Sequence, residues 1–266
     1  MIDIHAHLLF GVDDGPKNKA ESVKMLQQAS GEGITEIICT PHVMHPQYHV
    51  NYSLVEEQTI YLRQILEEHQ IPIILHTGHE VRLHEELHTL FMQKQLHTLA
   101  NSNYILLELP SSTIPAYTKR MIILLKAAGY TPILAHPERN YAIREKPTRL
   151  EILIREGALT QITAGSLTGL YGKEVQRLSL ALVRANYIHT FGSDAHNVTS
   201  RPFLYNRALH YLEKQKELDA VDQLLKNNAL VIANKPILPL ELDTIYTKKW
   251  WSFFNFFQQM SKHPLK

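Results

Sequence analysis

The sequence predicts an α/β protein built as one parallel barrel, and three observations carry the prediction. Short apolar runs recur seven times along the chain, helical patterns separate them, and the polar residues capable of chemistry gather just after the runs. Alternation of this kind argues for parallel βα units. Seven units in about 240 residues suit a closed or nearly closed barrel better than two domains. A doubly wound open sheet is the competing arrangement.

The runs are Ile2–His5, Glu36–Thr40, Ile73–Thr77, Tyr104–Glu108, Thr131–Ala135, Leu159–Thr163 and Ile188–Phe191. Each is four or five residues long and rich in Ile, Leu or Thr, as expected of strands covered on both faces. Between them, Ser53-Leu54-Val55-Glu56 and Thr148-Arg149-Leu150-Glu151 match the capping box that satisfies the free amides of a first helical turn. Gly33, Gly129 and Gly157 fall where helices should end and can supply a left-handed cap. No linker, low-complexity tract or close repeat interrupts the pattern. The expected division is a barrel over residues 1–240 followed by an aromatic-rich tail over 241–266.

Composition narrows the function. The chain has 266 residues, is 44% hydrophobic and 20% charged, and balances 27 basic against 26 acidic residues for a net charge of +1. A near-neutral chain has no global field to recruit nucleic acid. The N-terminus lacks the basic and apolar regions of a signal peptide, and no apolar stretch is long enough to span a bilayer. One cysteine, Cys39, precludes an internal disulfide and suits a reducing cytoplasm. Sixteen histidines is the outlying count.

Those histidines fall in a systematic place. Along a strand, alternate side chains share a face, so Asp3, His5 and His7 point the same way. By itself His-x-His is a weak metal signal. Thr40-Pro41-His42 then follows the second run, and Thr77-Gly78-His79-Glu80 the third. Glu108 ends the fourth run, His136-Pro137-Glu138-Arg139 follows the fifth, and Gly192-Ser193-Asp194-Ala195-His196 follows the seventh. The carboxyl ends of barrel strands converge on one mouth. His5, His7, His42, Glu80, Glu108, His136, Asp194 and His196 should therefore meet there, joined by Asp14 from the first loop. Nine nitrogen and oxygen donors exceed the needs of one ion and suggest two or three divalent ions sharing carboxylates.

The chain resembles the PHP (polymerase and histidinol phosphatase) superfamily, and within it the bacterial manganese-dependent tyrosine-protein phosphatases of capsular and exopolysaccharide operons. The resemblance runs from Met1 to about residue 235. It rests on Met1-Ile2-Asp3-Ile4-His5-Ala6-His7, Val12-Asp13-Asp14-Gly15-Pro16, Thr40-Pro41-His42, Glu80, Glu108, Ala135-His136-Pro137-Glu138-Arg139, Gly192-Ser193-Asp194-Ala195-His196 and Ser200-Arg201-Pro202. It implies a distorted (β/α)7 barrel, TIM-barrel-like, with up to three ions in the mouth. It places His5, His7, Glu80 and Asp194 on one ion, Glu80, Glu108 and His136 on a second, and Asp14, His42 and His196 on a third. Arg139 and Arg201 would clamp the phosphate, and Asp3 would orient a histidine ring. The ions would be Mn²⁺, although the same donors accept Fe, Co or Zn.

The implied activity is hydrolysis of phosphotyrosine on proteins, a bacterial tyrosine autokinase of polysaccharide synthesis being the expected substrate, by attack of water that the ions have acidified. Arginine's planar fork matches two phosphate oxygens. Two other readings compete: a histidinol-phosphate phosphatase or other PHP phosphoesterase, and a catalytically idle module that binds the kinase. A cysteine-dependent phosphatase needs an arginine six positions after its nucleophile, but His45 stands there after Cys39. No Gly-x-Ser-x-Gly elbow occurs; Thr163-Ala164-Gly165-Ser166 reads as a turn that could line the mouth. His45 and His49 read as loop histidines within reach of substrate, and His79 as an exposed residue or a support for the donors.

In the tail, Trp250, Phe253, Phe254 and Phe257 share one helical face behind Lys248 and Lys249. This predicts either a helix docked on the barrel or a sister subunit, or an interfacial helix giving peripheral membrane contact.

Overall fold

The computed structural model describes residues 1–48, 50–243 and 245. Among the described residues, nine strands run in the order β1 (Ile2–Ala6), β2 (Glu36–Cys39), β3 (His42–Val43), β4 (Ile74–Thr77), β5 (Glu80–Arg82), β6 (Tyr104–Glu108), β7 (Thr131–Ala135), β8 (Leu159–Thr163) and β9 (Thr190–Gly192). Between and after them lie α1 (Lys19–Gly31), α2 (Tyr52–Glu68), α3 (Leu87–Met92), α4 (Thr118–Ala127), α5 (Tyr141–Glu145), α6 (Thr148–Arg155), α7 (Ala164–Leu167), α8 (Lys173–Arg184), α9 (Tyr205–Lys214) and α10 (Leu218–Ile232).

The strands pair in parallel as β1-β2-β4 and as β3-β5-β6-β7-β8-β9. β2 and β3 are halves of one strand broken at Thr40-Pro41, where proline removes a ladder donor. β4 and β5 are likewise halves broken at Gly78-His79. A Cβ on Gly78 would lie 2.7 Å from Ile38 Cγ2, so only glycine fits where this strand bends against its neighbour. At the other edge β9 meets β1: the Ala6–Ala195 bridge is parallel, and His5 O accepts from Asp194 N at 2.8 Å. Seven strand positions therefore form a ring, interrupted at the two breaks, which is the distorted (β/α)7 arrangement.

The anticipated strands are present with shifted ends. The first extends to Ala6, the third starts at Ile74, and the last is Thr190–Gly192. The short β3 and β5 were not anticipated, because two or three residues carry no readable period. Gly33, Gly129 and Gly157 end helices with φ of +77°, +89° and +97°, as expected. Neither proposed capping box forms. Asn51 caps α2, accepting from Leu54 N at 2.8 Å, and Ser53 donates its hydroxyl to that same Asn51 oxygen. Before α6, Pro147 already holds helical φ, so Thr148 lies inside the first turn and cannot cap it.

Three apolar clusters hold the barrel. One packs β1, β2 and β4 against α1, α2, α9 and α10 through Met25, Leu26, Leu62 and Leu224. A second packs β5, β6 and β7 against α3, α4, α6 and α8 through Phe91, Ile122, Leu153 and Leu182. The third joins Ile4, Ile38, Leu106 and Ile133 to Val231 and Ile237. It closes the amino-terminal end beneath α10, where Asn228 Nδ2 donates to Ile2 O and the Tyr104 hydroxyl donates to Lys235 O. With that end sealed, the opposite end is left for chemistry.

Beyond α10, the chain runs back along the barrel: Asp243 N donates to Ala185 O, and Leu242 packs on the second cluster. Trp250–Phe257 lies outside the described residues, as does His49. Among the described residues no helix is long and apolar enough to cross a membrane.

Candidate metal centre

All nine expected donors lie at the carboxyl ends of the strands. Parallel register sets His42 beside Glu80 and Arg82 beside Glu108. His136 and Asp194 follow β7 and β9 with φ of +33° and +54°, a costly conformation for side chains of this kind that turns each inward at the strand end. The donors fall into overlapping groups: His5, His7, Glu80 and Asp194; His42, Glu80 and Glu108; and His7, Asp14, His42 and His196. His136 joins Glu80, its Nε2 lying 2.7 Å from Oε1.

The first group has the geometry of an ion site. His5 Nε2 and His7 Nε2 are 3.4 Å apart. His5 Nε2 stands 3.4 Å from Glu80 Oε2 and 3.3 Å from Asp194 Oδ1, and His7 Nε2 stands 3.3 Å and 3.5 Å from the same two oxygens. All four atoms lie within 4.8 Å of one another, close enough for one ion to bind them in common. Glu80 Oε2, Asp194 Oδ1, His42 Nδ1 and His196 Nε2 are moreover buried without a hydrogen-bond partner among the described residues. Buried polar atoms left unpartnered are expensive, and several aimed at common points fit divalent ions.

The ring orientations agree. Gln161 donates Nε2 to Ile162 O, so its Oε1 is left to accept from His5 Nδ1 at 2.9 Å. Asp13 Oδ2 accepts from His7 Nδ1 at 2.7 Å, and Asp194 O accepts from His196 Nδ1 at 2.9 Å. In each ring the proton belongs on Nδ1, leaving the Nε2 lone pair for an ion. Asp13 also accepts from the backbone N of Gly15 and of His42, so one carboxylate sets two donors.

Charges of both signs are buried together in the cluster. Burial opposes ionisation of Glu80, but His5 and His42 hold its carboxyl well below the usual range. Burial opposes it at Asp194 too, where Arg139 and Arg201 prevail. Burial lowers the basicity of His5, but Glu80 and Asp194 raise it above the usual imidazole range. Protons thus compete for the positions that ions would take.

Arg139 and Arg201 both reach the cluster. Arg139 Nη1 donates to Asp194 Oδ2, and Arg201 donates Nη2 to that oxygen at 2.9 Å and Nη1 to Asp14 Oδ2 at 3.1 Å. One Asp194 oxygen therefore faces the histidines and the other holds two guanidinium groups.

Three expectations change, and one residue was missed. Asp3 orients no histidine ring: its Oδ1 accepts from the backbone N of His5 and Ser193, tying β1 to β9, and the ring contacts fall to Gln161 and Asp13. His79 is fully buried, and its Nδ1 accepts from His97 N instead of supporting a donor. Thr163 and Ser166 add nothing to the cluster, because Thr163 instead binds the buried Glu138 carboxylate through its N and Oγ1. Arg82, paired with Glu108 at 2.8 Å, was missed; reading a strand at Glu80-Val81-Arg82 would have put it beside the site. His45 stacks on His42 at 5.0 Å and on Tyr48 at 4.8 Å, in the loop over the mouth. Cys39 is buried, and burial pushes its thiol up to about 12, which suits a structural residue.

Known proteins resemble this chain in sequence and fold. Residues 1–234 match the family described as capsular polysaccharide synthesis, CpsB/CapC. The chain belongs to that family. It is 39% identical to the tyrosine-protein phosphatase YwqE of Bacillus subtilis over 254 residues, 96% of this chain and 100% of the relative. It is 27% identical to the tyrosine-protein phosphatase CpsB of Streptococcus pneumoniae, covering 86% of this chain and 96% of that one. It superposes with a TM-score of 0.89 and 39% identity on a solved structure from the pair YwqE of B. subtilis and CpsB of S. pneumoniae, described as unique metal-dependent tyrosine phosphatases; the match covers 91% of this chain and 98% of that one.

Proposed function

We propose that the chain is a metal-dependent protein-tyrosine phosphatase, and that its substrate is a bacterial tyrosine kinase of capsular or exopolysaccharide synthesis in the cytoplasm. The observation that carries the reading is the pair of guanidinium groups converging beside a buried set of unpartnered nitrogen and oxygen donors. That arrangement supplies the two things phosphoryl transfer asks for, positioning and charge neutralisation. The names of its family relatives point the same way.

His5, His7, Glu80 and Asp194 would hold one ion, Glu80, Glu108 and His136 a second, and Asp14, His42 and His196 a third. Manganese is the ion we favour. Bound divalent ions acidify water and neutralise phosphate oxygens. The chain's own residues do the rest. Gln161, Asp13 and the Asp194 carbonyl hold the rings with Nε2 facing inward. Arg139 and Arg201 would take the phosphate oxygens as forks. The departing phenolate has a conjugate acid of pKa about 10 and leaves without a strong acid.

A panel of phosphotyrosine peptide, phosphoserine peptide and histidinol phosphate, run with metal analysis on the same sample, tests this. Turnover should favour phosphotyrosine, vanish after full chelation and return with Mn²⁺. Equal activity in a verified metal-free sample would overturn the assignment, and preference for histidinol phosphate would move it to the small-molecule phosphatases.

A further inference from the structure

Arg139 does not reach the site unsupported. Its guanidinium carbon lies 4.7 Å from the centre of the Tyr171 ring, within the range in which a cation binds an aromatic face. Tyr171 stands in the loop between α7 and α8, a loop shaped to put it there. Gly169 and Gly172 flank it with φ of +83° and +93°, and Gly172 N donates to Gly169 O at 3.0 Å. The ring also packs on the α7 backbone: a Cβ on Gly165 would come within 2.9 Å of Tyr171 Cε2. The ring therefore touches both a glycine and a guanidinium. Burial raises the Tyr171 pKa, as does the Asp194 charge, while Arg139 and Arg201 act against it. The phenol thus shares the electrostatic environment of the whole clamp.

We propose that Tyr171 is the positioning residue of the phosphate clamp, carrying Arg139 on its ring face. The inference rests on the phosphate-binding role given above to Arg139. An arginine side chain has several rotatable bonds, and Arg139's one ionic partner among the described residues is Asp194. When a phosphate draws the fork away from Asp194, a second surface must keep the guanidinium plane over the mouth. Tyr171 supplies it without competing for the N–H donors, because a ring face binds the cation and leaves its edge free for oxygen.

The test compares Tyr171→Phe, which keeps the ring, with Tyr171→Leu, which removes it; Tyr171→Met replaces the leucine variant should that fail to fold. Each is measured alone and with Arg139→Ala, for kcat and KM on a phosphotyrosine peptide, inhibition by inorganic phosphate, and metal content. Tyr171→Leu should lower kcat/KM by about 5- to 30-fold and weaken phosphate inhibition in parallel, at unchanged metal content. Tyr171→Phe should recover most of the loss. With Arg139→Ala already present, Tyr171→Leu should cost less than about twofold more, because the two residues act as one unit. A loss equally large in both backgrounds, or a phenylalanine variant as impaired as leucine, would overturn the proposal. Wild-type kinetics for Arg139→Ala alone would instead remove the clamp on which it rests.

Discussion

Arg139 and Arg201, carried by loops after different strands, both donate to Oδ2 of Asp194. Since Oδ1 of that carboxylate faces His5 and His7, Asp194 joins the ion site to the arginine pair. Anything that binds between the arginines and an ion held there would meet positive charge from both sides.

The arginines should therefore be separable from the ions. Guanidinium has no free lone pair to offer an ion, so Arg201→Ala should keep its metals and fold. It should lose phosphate stabilisation on the order of 2–4 kcal/mol, roughly 30- to 1000-fold in kcat/KM on phosphotyrosine peptide. Arg139→Ala should behave likewise, and lysine at either position should rescue only partly, keeping charge without the fork. Unchanged kinetics at full metal occupancy would take that arginine out of the site.

Asp13 makes the opposite prediction. It touches the His7 ring and the His42 backbone but belongs to none of the donor groups. Asp13→Ala should lower metal affinity roughly 10- to 100-fold, as loss of such a supporting carboxylate generally does, with the fold intact. Titration against a chelating dye measures this, and wild-type affinity would mean that the ring is held adequately without Asp13.

Cys39 lies inside β2 with its thiol pushed up to about 12. Cys39→Ser should retain activity within about threefold at a modest cost in stability. Mass-spectrometric detection of a phosphocysteine would defeat this and the metal-dependent mechanism with it.

His189 should contribute to acid sensitivity. It is buried, its Nδ1 accepts from Thr160 N at 3.2 Å, and burial lowers its pKa to about 4. Unfolded, it would titrate near 6.5. Between these values the unfolded chain binds a proton that the folded chain refuses, so stability is lost as pH falls from about 6.5 towards 4. The loss attributable to this residue is on the order of 3 kcal/mol. His189→Gln should flatten that part of the slope in urea unfolding at several pH values. Identical slopes for the two proteins would count against the assignment.

What the sequence by itself determined follows from periodicity and position. Buried parallel strands must be apolar along their length, so the seven runs were legible, and strand ends converge in a barrel, so the donors after them had to meet. Arg139 and Arg201 sit in the same loops, and it was the family resemblance that pointed to them. Tertiary structure alone decided which carboxylate serves which ring. Asp3 shares a strand face with His5 and His7, yet it ties β1 to β9, while Gln161, 156 residues away, holds the His5 ring and Asp13, from the loop after β1, holds that of His7. Hydrogen-bond partners depend on ångström-scale placement of atoms from separate elements, which no spacing along one strand encodes. The same reason hid Arg82 and Tyr171: one lies on a strand of three residues, and the other in a glycine-framed turn whose direction is set only by packing against α7.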